Sequence, residues 1–374
     1  MADITNDRVR DVVAEIQDPD IGKGLGALDM IKDVSVCDDM VKIQLRSANP
    51  TGKAHKALTA AVEGKVKEAF PELKLVNVKI AYEASRPHGR TGQFATEVQN
   101  FIAVGSGKGG VGKSTCAMNI AIGLANTGAR VGLLDTDVYG PSVPLLAGIS
   151  REEYLAHAAE AKQNEEKDKP GVSIPPIEKF GVKIMSIGFL VDPDKAVIWR
   201  GPMVHQAVQQ FLRDVDWGPL DYLIIDMPPG TGDVQITLSQ TIPLTGAVLV
   251  CTPQTVALAD AKKAYGMFET TKTEVLGMIE NMSWFELPDG TREHIFGEGG
   301  AAREAEALDI PLLGSVPLET GVRIGGDEGK PLMATEGESP ARKAFQGVVD
   351  TLASVVAKHN FGTRPRRSLK IIKT

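Results

Sequence analysis

The chain of 374 residues is too long for one ordinary hydrophobic core, so two domains, or one large domain with an appendage, are expected. Its 43% apolar and 24% charged content is that of a water-soluble globular protein, and a net charge of −7 argues against a general nucleic-acid binder. No run approaches the roughly 18 apolar residues of a membrane span, and the acidic N-terminus lacks the basic and apolar regions of a signal peptide. A cytoplasmic location is therefore expected, and three widely spaced cysteines, Cys37, Cys116 and Cys251, fit a reducing compartment better than a disulfide framework.

In chain order, residues 1–84 read as a small α/β domain. Val9, Val12, Val13 and Ile16 make one helix face, and Val41, Ile43 and Leu45 alternate as a strand. Leu58, Ala61, Val62 and Ala69 suggest a second helix, and Val76, Val78, Ile80 and Tyr82 alternate again. Residues 85–97 are polar and turn-rich, which predicts a linker.

From residue 98 to 358 short apolar runs alternate with helical patterns, the signature of a parallel sheet covered on both faces. The expected strands are Phe101–Gly105, Arg130–Asp135, Val182–Ile187, Tyr222–Asp226, Ala247–Thr252, Glu274–Glu280 and Leu312–Val316, with helices over Met203–Arg213 and Val256–Thr270. The last helix is expected to start at Ser339 as N-cap and Pro340 as its first residue, and to pack Phe345, Val348, Val349, Leu352, Val355 and Val356 on the sheet. Residues 151–170 are charged with few apolar anchors and read as a mobile surface insertion, and residues 359–374 form a basic tail.

The chemistry concentrates in Gly107-Lys-Gly-Gly-Val-Gly-Lys-Ser114, which fits the P-loop pattern. A polyphosphate needs several backbone N–H donors converging on its oxygens, and Gly107, Gly109, Gly110 and Gly112 let the main chain curl that closely. The strand Phe101–Gly105 precedes the loop, and Cys116, Ile120 and Leu124 recur at helical spacing after it, so a helix N-terminus faces the phosphates. The nucleotide would be held by Gly107, Lys108, Gly109, Gly110, Val111, Gly112, Lys113, Ser114 and Thr115, with Lys113 reaching the β- and γ-phosphates and the Ser114 hydroxyl coordinating Mg²⁺. A glycine-rich turn without a ligand does not account for the agreement of strand, loop, lysine and hydroxyl.

Two further segments supply carboxylates. Leu133-Leu-Asp-Thr-Asp137 ends a strand where ligands bind in open parallel sheets; Asp137 is a candidate for orienting or deprotonating the attacking water, and Asp135 for holding the loop or the metal shell. Aspartates after strands are also ordinary turn formers, and for this pair that alternative stands. Leu223-Ile-Ile-Asp226 has the form of a Walker B strand, with Asp226 on Mg²⁺ directly or through water. The loop that follows it contains Gly230, Thr231, Gly232 and Asp233 and is a candidate γ-phosphate switch.

These motifs carry a resemblance. Lys108 is similar to the signature lysine of the deviant Walker A motif found in MinD, ParA, the nitrogenase iron protein and the Mrp/ApbC proteins, where it reaches across a dimer interface to the partner's phosphates. The segments Asp135-Thr-Asp-Val-Tyr-Gly-Pro-Ser142, Trp199-Arg-Gly-Pro-Met203, Asp221 to Asp233, Thr252-Pro-Gln254, Glu280-Asn-Met-Ser283, Ile295-Phe-Gly297 and Gly314-Ser-Val-Pro-Leu318 follow in order. By these residues the chain is identified as a member of the Mrp/ApbC family of iron–sulfur cluster carrier ATPases. The resemblance implies an α/β parallel-sheet P-loop NTPase domain preceded by a small α/β domain like those of iron–sulfur assembly proteins. It also implies ATP and Mg²⁺ as cofactors, slow switch-type hydrolysis by a homodimer in which Lys108, Lys113 and Asp137 are catalytic, Asn281 at the adenine, and Pro317 lining the base pocket.

The resemblance breaks where the family places Cys-x-x-Cys to hold a [4Fe–4S] cluster between two subunits. Here Trp284 to His294 contains no cysteine, and Ser47-Ala-Asn-Pro50 stands where relatives of the small domain often carry a reactive one. Glu286, Asp289 and His294 are no ordinary substitutes for thiolates, and Cys116 and Cys251 are expected to be buried apolar side chains. The leading expectation is an iron–sulfur assembly or carrier ATPase with iron–sulfur client proteins as partners. A MinD/ParA-like regulatory ATPase, or an adaptor that binds no cluster, is the alternative.

Overall fold

The computed structural model describes residues 4–87, 95, 97–164, 174–190 and 201–362. The expected linker falls mostly on residues outside these, as do Trp199, Arg200, residues 165–173 of the insertion and nearly all of the basic tail. The chain forms two compact units, residues 1–89 with 353–374, and residues 90–352, so that the division falls inside the last helix.

The first unit is built from helix α1 (Asn6–Glu15), strands β1 (Ile31–Cys37) and β2 (Met40–Ser47), helix α2 (Gly52–Ala69) and strand β3 (Leu75–Tyr82). Thr5 and Thr51 cap the two helices, each accepting from a first-turn N–H at 3.3 Å. β2 lies between β1, antiparallel to it, and β3, parallel to it. The inward residues of β2, Val41, Ile43 and Leu45, meet Val9 and Val13 of α1 and Leu58, Val62 and Val66 of α2 in one core. The α2 stripe runs through Val66 rather than through Ala69, which is exposed, because Leu58, Val62 and Val66 keep strict i, i+4 spacing. β1 is not evident from alternation, since Val34 is its one fully buried residue. Residues beyond 352 contribute here too: Ala357 joins the core, Ser354 Oγ donates to Asp20 Oδ1 at 2.9 Å, and Lys23 Nζ donates to the Phe361 carbonyl at 2.7 Å.

The second unit runs β4 (Val98–Gly105), α3 (Lys113–Ala125), β5 (Val131–Asp135), α4 (Val143–Ala147), α5 (Arg151–Asn164), β6 (Ile177–Lys179), β7 (Val182–Ser186), α6 (Gly201–Asp214) and β8 (Leu220–Asp226). It continues with α7 (Asp233–Thr241), β9 (Gly246–Cys251), α8 (Thr255–Thr270), β10 (Val275–Glu280), the short pair β11 (Phe285–Glu286) and β12 (Arg292–Glu293), α9 (Gly300–Ala307), β13 (Leu312–Ser315), α10 (Thr320–Asp327) and α11 (Pro340–Asn360). Eight strands form one sheet in the order β13-β10-β9-β4-β8-β5-β7-β6, parallel except for β6 against β7. The expected strands all appear, with ends that differ by a residue or a few, and β8 and β9 are buried along their whole length. Helices on both faces require that continuous apolar reading, and the absence of alternation in the sequence reflects it. Ser339 Oγ accepts from the Arg342 N–H at 3.2 Å, so α11 starts where the Ser-Pro pair predicts.

Two features of this unit differ from expectation. The hairpin edge β6 was not anticipated, because three residues carry too little pattern to register. The first part of the supposed mobile insertion, α5, is anchored: Tyr154 is 1% exposed and stacks on Phe189 with ring centroids 4.5 Å apart. A single aromatic side chain of that size outweighs a charged surface as an anchor. Tyr154→Ala is expected to release α5, raising the rate of limited proteolysis within residues 155–164 and costing about 3–5 kcal/mol in chemical denaturation.

Candidate functional site

β4 is the strand at which the sheet's connections diverge. The chain leaving it crosses to β5, while the chain leaving β8 crosses to β9 on its other side. The carboxyl end of such a strand is where an open α/β sheet leaves a crevice. Residues 106–112 turn there between β4 and α3.

Two glycines of this loop are demanded by different constraints. Gly112 has φ +80°, a left-handed conformation that L side chains rarely take, and a Cβ there would lie 2.2 Å from Asn281 Nδ2. At Gly107 the limit is contact: a Cβ would lie 2.1 Å from the carbonyl carbon and oxygen of Asp260 in α8. The loop is thereby wedged against α8. No side chain caps α3, so its first N–H groups stay available to an anion.

Lys113, the first residue of α3, is 6% exposed. Its ammonium donates to Asp226 Oδ1 at 2.6 Å and to Ser114 Oγ at 3.1 Å, and lies 3.6 Å from Asp137 Oδ2. Asp226 ends β8 next to β4 and is fully buried, and its Oδ2 has no hydrogen-bond partner. Burial pushes the Asp226 carboxyl above the usual carboxylate range, while Lys113 and Ser114 act in the opposite direction.

Asp135, at the end of β5 and in register with Asp226, is likewise fully buried. Its Oδ1 accepts from the Asp137 N–H at 3.0 Å, and its Oδ2 from Ser186 Oγ at 2.9 Å and the Val143 N–H at 3.3 Å. Both oxygens are therefore engaged in holding the 136–143 loop. Burial, and then the nearby Asp226 charge, push its pKa up to about 8. Asp137 has one oxygen anchored, Oδ1 accepting from the Tyr139 and Gly140 N–H groups at 3.2 Å each, which leaves Oδ2 turned toward Lys113.

The remaining predicted residues group around this center unequally. Gly230 (φ +98°) donates its N–H to the Ser106 carbonyl at 2.9 Å, tying the 227–233 loop to the phosphate loop. Gly232 and Asp233 at the start of α7 are exposed. Lys108 is held within its own chain, its ammonium 3.5 Å from Gln254 Oε1 at the N-cap of α8. Asn281 packs on the loop, Nδ2 donating to the Val111 carbonyl at 2.9 Å. Pro317 is reached through a short ladder in which the Ser283 N–H donates to the Val316 carbonyl and the Leu318 N–H to the Trp284 carbonyl. Ser186 was missed by sequence reasoning, since a serine at a strand end carries no pattern of its own, and Gln254 stood only as part of the Thr252-Pro-Gln254 segment, with no sign of its contact with Lys108.

A Mg²⁺ ion fits these donors. A buried carboxylate oxygen without a partner and an adjacent hydroxyl are hard oxygen ligands, and Mg²⁺ takes one or two such protein ligands with the rest from phosphates and water. Among the described residues no group of three or more His, Cys, Asp or Glu side chains is arranged to hold a metal by itself.

A cluster needing four thiolates does not fit. Cys116 and Cys251 are buried, and burial pushes both thiols up to about 12, while Cys37 is an exposed single thiol in the other unit. The cysteine-free stretch is a small hairpin, β11 on β12, closed by Gly290 (φ +83°) and covered by the Arg292 guanidinium 4.4 Å from the Trp284 ring. His294 Nδ1 lies 3.2 Å from the Ser283 carbonyl.

Comparison with known proteins covers both units. The NUBPL iron-transfer P-loop NTPase family matches residues 97–353, and an iron–sulfur cluster assembly protein family matches residues 6–80. An iron-sulfur cluster carrier protein of Synechocystis is 44% identical over 95% of this chain and 98% of its own. The iron-sulfur cluster transfer protein NUBPL of Dictyostelium discoideum is 46% identical over 67% of this chain and 75% of its own. Among solved structures, a nucleotide-binding protein of Archaeoglobus fulgidus in complex with ADP is 38% identical, with a TM-score of 0.52 over 63% of this chain and 88% of that one. Phosphate-loop geometry, strand order and these matches agree: the chain belongs to the NUBPL iron-transfer P-loop NTPase family, the group that includes the Mrp/ApbC proteins, and it lacks their Cys-x-x-Cys.

Proposed function

We propose that this chain is a Mg²⁺-dependent ATPase that works as a pair of protomers in the assembly or transfer of iron–sulfur clusters. The observation that carries the reading is the convergence of Lys113, Ser114, Asp137 and Asp226 at the carboxyl ends of β4, β5 and β8, beneath an uncapped helix N-terminus.

The loop amides and α3 bind the triphosphate, with Gly107, Gly109, Gly110, Val111, Gly112 and Thr115 shaping the cradle. Lys113 would leave Asp226 for the β- and γ-phosphates, and Asp226 Oδ2 and Ser114 Oγ would hold Mg²⁺. When bound, the ion neutralises charge on the phosphate oxygens. Asp137 Oδ2 orients the attacking water or accepts its proton, its other oxygen being fixed by backbone amides. Asp135 serves the metal shell indirectly, by holding the loop that carries Asp137.

Gly230, Thr231, Gly232 and Asp233 act as the switch, because the Gly230–Ser106 bond passes any shift of the phosphate loop to α7. Lys108 gives up Gln254 to reach the phosphates of a second protomer, and the 3.5 Å contact is weak enough to make that exchange cheap. Turnover is slow and serves to reset shape.

The iron–sulfur role rests on family membership and on the pairing of both matched segments in one chain. Since the thiols do not fit a four-thiolate cluster, the chain acts on clusters together with client proteins that supply ligands. A second reading is favoured by the same thiols: an ATP-controlled adaptor or regulator that never holds a cluster.

Lys113→Ala is expected to abolish phosphate release from Mg·ATP, and normal turnover by that variant rejects the assigned site. Asp137→Asn should lower turnover by about 100-fold or more while nucleotide affinity stays near that of the parent, read by single-turnover phosphate release and calorimetry. Iron and labile sulfide measured on protein purified without oxygen should be far below one cluster per pair of chains. Stoichiometric iron and sulfide would instead make this chain a direct carrier.

A further inference from the structure

A cleft opens at the far end of the helix that begins at the phosphate loop. It encloses about 540 Å³, within the range of small-molecule sites, and its lining includes Ile122 and Asn126 of α3, Phe180 of the β6–β7 turn, Met333, and Arg342 and Gln346 on successive turns of α11. Lys113 is the first residue of α3 and Asn126 its C-cap, so a helix of 13 residues separates the cleft from the phosphate loop. At 1.5 Å per residue that is roughly 20 Å.

Among the described residues that line it, Arg342 is the one charged side chain. It is held at both ends: its backbone N–H donates to Ser339 Oγ at 3.2 Å, and its Nη1 to the Leu332 carbonyl at 2.6 Å. Among the described residues no acceptor meets Nε or Nη2, and Glu338, close in sequence, pairs with Lys343 instead. The Nε–Nη2 edge is the side-on face with which a guanidinium grips a carboxylate through two parallel N–H···O bonds. A fork already oriented in this way loses little freedom on binding.

The walls supply an apolar surface. Ile122 and Met333 are 1% and 2% exposed, and Asn126 Nδ2 ties α3 to this segment by donating to the Met333 carbonyl at 2.9 Å. Phe180 has φ +56°, a conformation uncommon for a bulky side chain, and Gly181 follows at φ +72°, so the tight β6–β7 turn presents that ring at a conformational cost. The Lys179 ammonium donates to the Gly148 carbonyl at 2.9 Å and lies 5.5 Å from the Phe180 ring centroid, which steadies the ring.

We propose that this cleft binds a small organic carboxylate with an apolar, preferably aromatic, body: the free edge of Arg342 takes the carboxylate, and Ile122, Met333 and Phe180 take the body. Charge complementarity selects the anion, because the described lining offers one cation and no carboxylate to repel it. One guanidinium edge matches a planar, singly charged group, whereas a phosphate dianion calls for more positive charge than one fork supplies. The site stands apart from the nucleotide reading and does not depend on it.

The test is calorimetric titration of the full-length chain, without nucleotide, with three probes: hydrocinnamate, a phenyl ring on a short chain ending in a carboxylate; hydrocinnamamide, with the same body and no charge; and inorganic phosphate, with charge and no body. Hydrocinnamate is expected to bind with a Kd of about 1 mM or tighter, and more tightly than either control by about tenfold or more. No binding of hydrocinnamate, or affinity equal to that of the amide or of phosphate, overturns the proposal. Arg342→Lys, which keeps the charge and loses the fork, should weaken hydrocinnamate by about tenfold and leave the amide unchanged. Ala334→Asp, which leaves Arg342 in place and sets a carboxylate in the lining, should weaken hydrocinnamate by a similar factor. Circular dichroism and thermal unfolding identify a variant that fails to fold, in which case the other carries the comparison, and the carboxylate-to-amide ratio needs no variant. Unchanged hydrocinnamate affinity in a folded variant places the ligand elsewhere on the chain and overturns the site.

Discussion

One ammonium, that of Lys113, stands among carboxylates in a place that water scarcely reaches. Asp226 and Asp137 lie within 4 Å of it, and Asp135 is close enough to Asp226 for the two charges to oppose each other. Removing ions from water costs several kcal/mol each, and a single cation cannot repay that for three anions. The raised pKa values of Asp135 and Asp226 express the deficit. Such a site is unbalanced in a particular direction: it is short of positive charge next to a loop of unpaired N–H donors, which is the complement of a metal-bound polyphosphate.

The rest of the second unit serves to keep that cluster in register. Parallel pairing sets Asp135 beside Asp226, and β4 beside β8, so residues far apart in sequence end at one height on one edge of the sheet. The phosphate loop is fixed from three directions, by the α8 backbone at Gly107, by Asn281 at Val111 and by Gly230 at Ser106. Of these contacts, the one with Gly230 belongs to a segment whose own following residues are exposed, so it is the contact best placed to change without disturbing the core.

The departure from the family is local. Where thiolates would stand, the chain folds a short hairpin, with an arginine over a tryptophan, and two of its cysteines, one on α3 and one at the end of β9, are buried where a thiolate is costly. The phosphate loop keeps its supports, from the Lys108–Gln254 contact to the Asn281–Val111 bond. Cluster chemistry and nucleotide chemistry are thus separable in this architecture, since one depends on a few soft ligands on a loop and the other on the sheet itself.

Much was legible in the sequence because it is local. The glycine spacing of the phosphate loop, the Ser-Pro start of α11, the apolar runs of β4, β5, β8 and β9, and the missing cysteines depend only on neighbours in the chain. Short or weakly patterned elements were not legible: β1 buries one full position, β6 has three residues, and Tyr154 looks like part of a charged helix until Phe189 meets it. The sequence by itself determined where the glycine-rich loop and the strand-end aspartates lie and which strands are buried, since backbone freedom and hydrophobic runs are written residue by residue. Only the tertiary structure decided what those residues do to one another: that Asp135 turns both oxygens to a loop, that Lys108 rests on Gln254, and that the Asn281 nitrogen braces Val111. Hydrogen bonds and pKa values arise from distances between strands and helices, and no spacing along the chain encodes those distances.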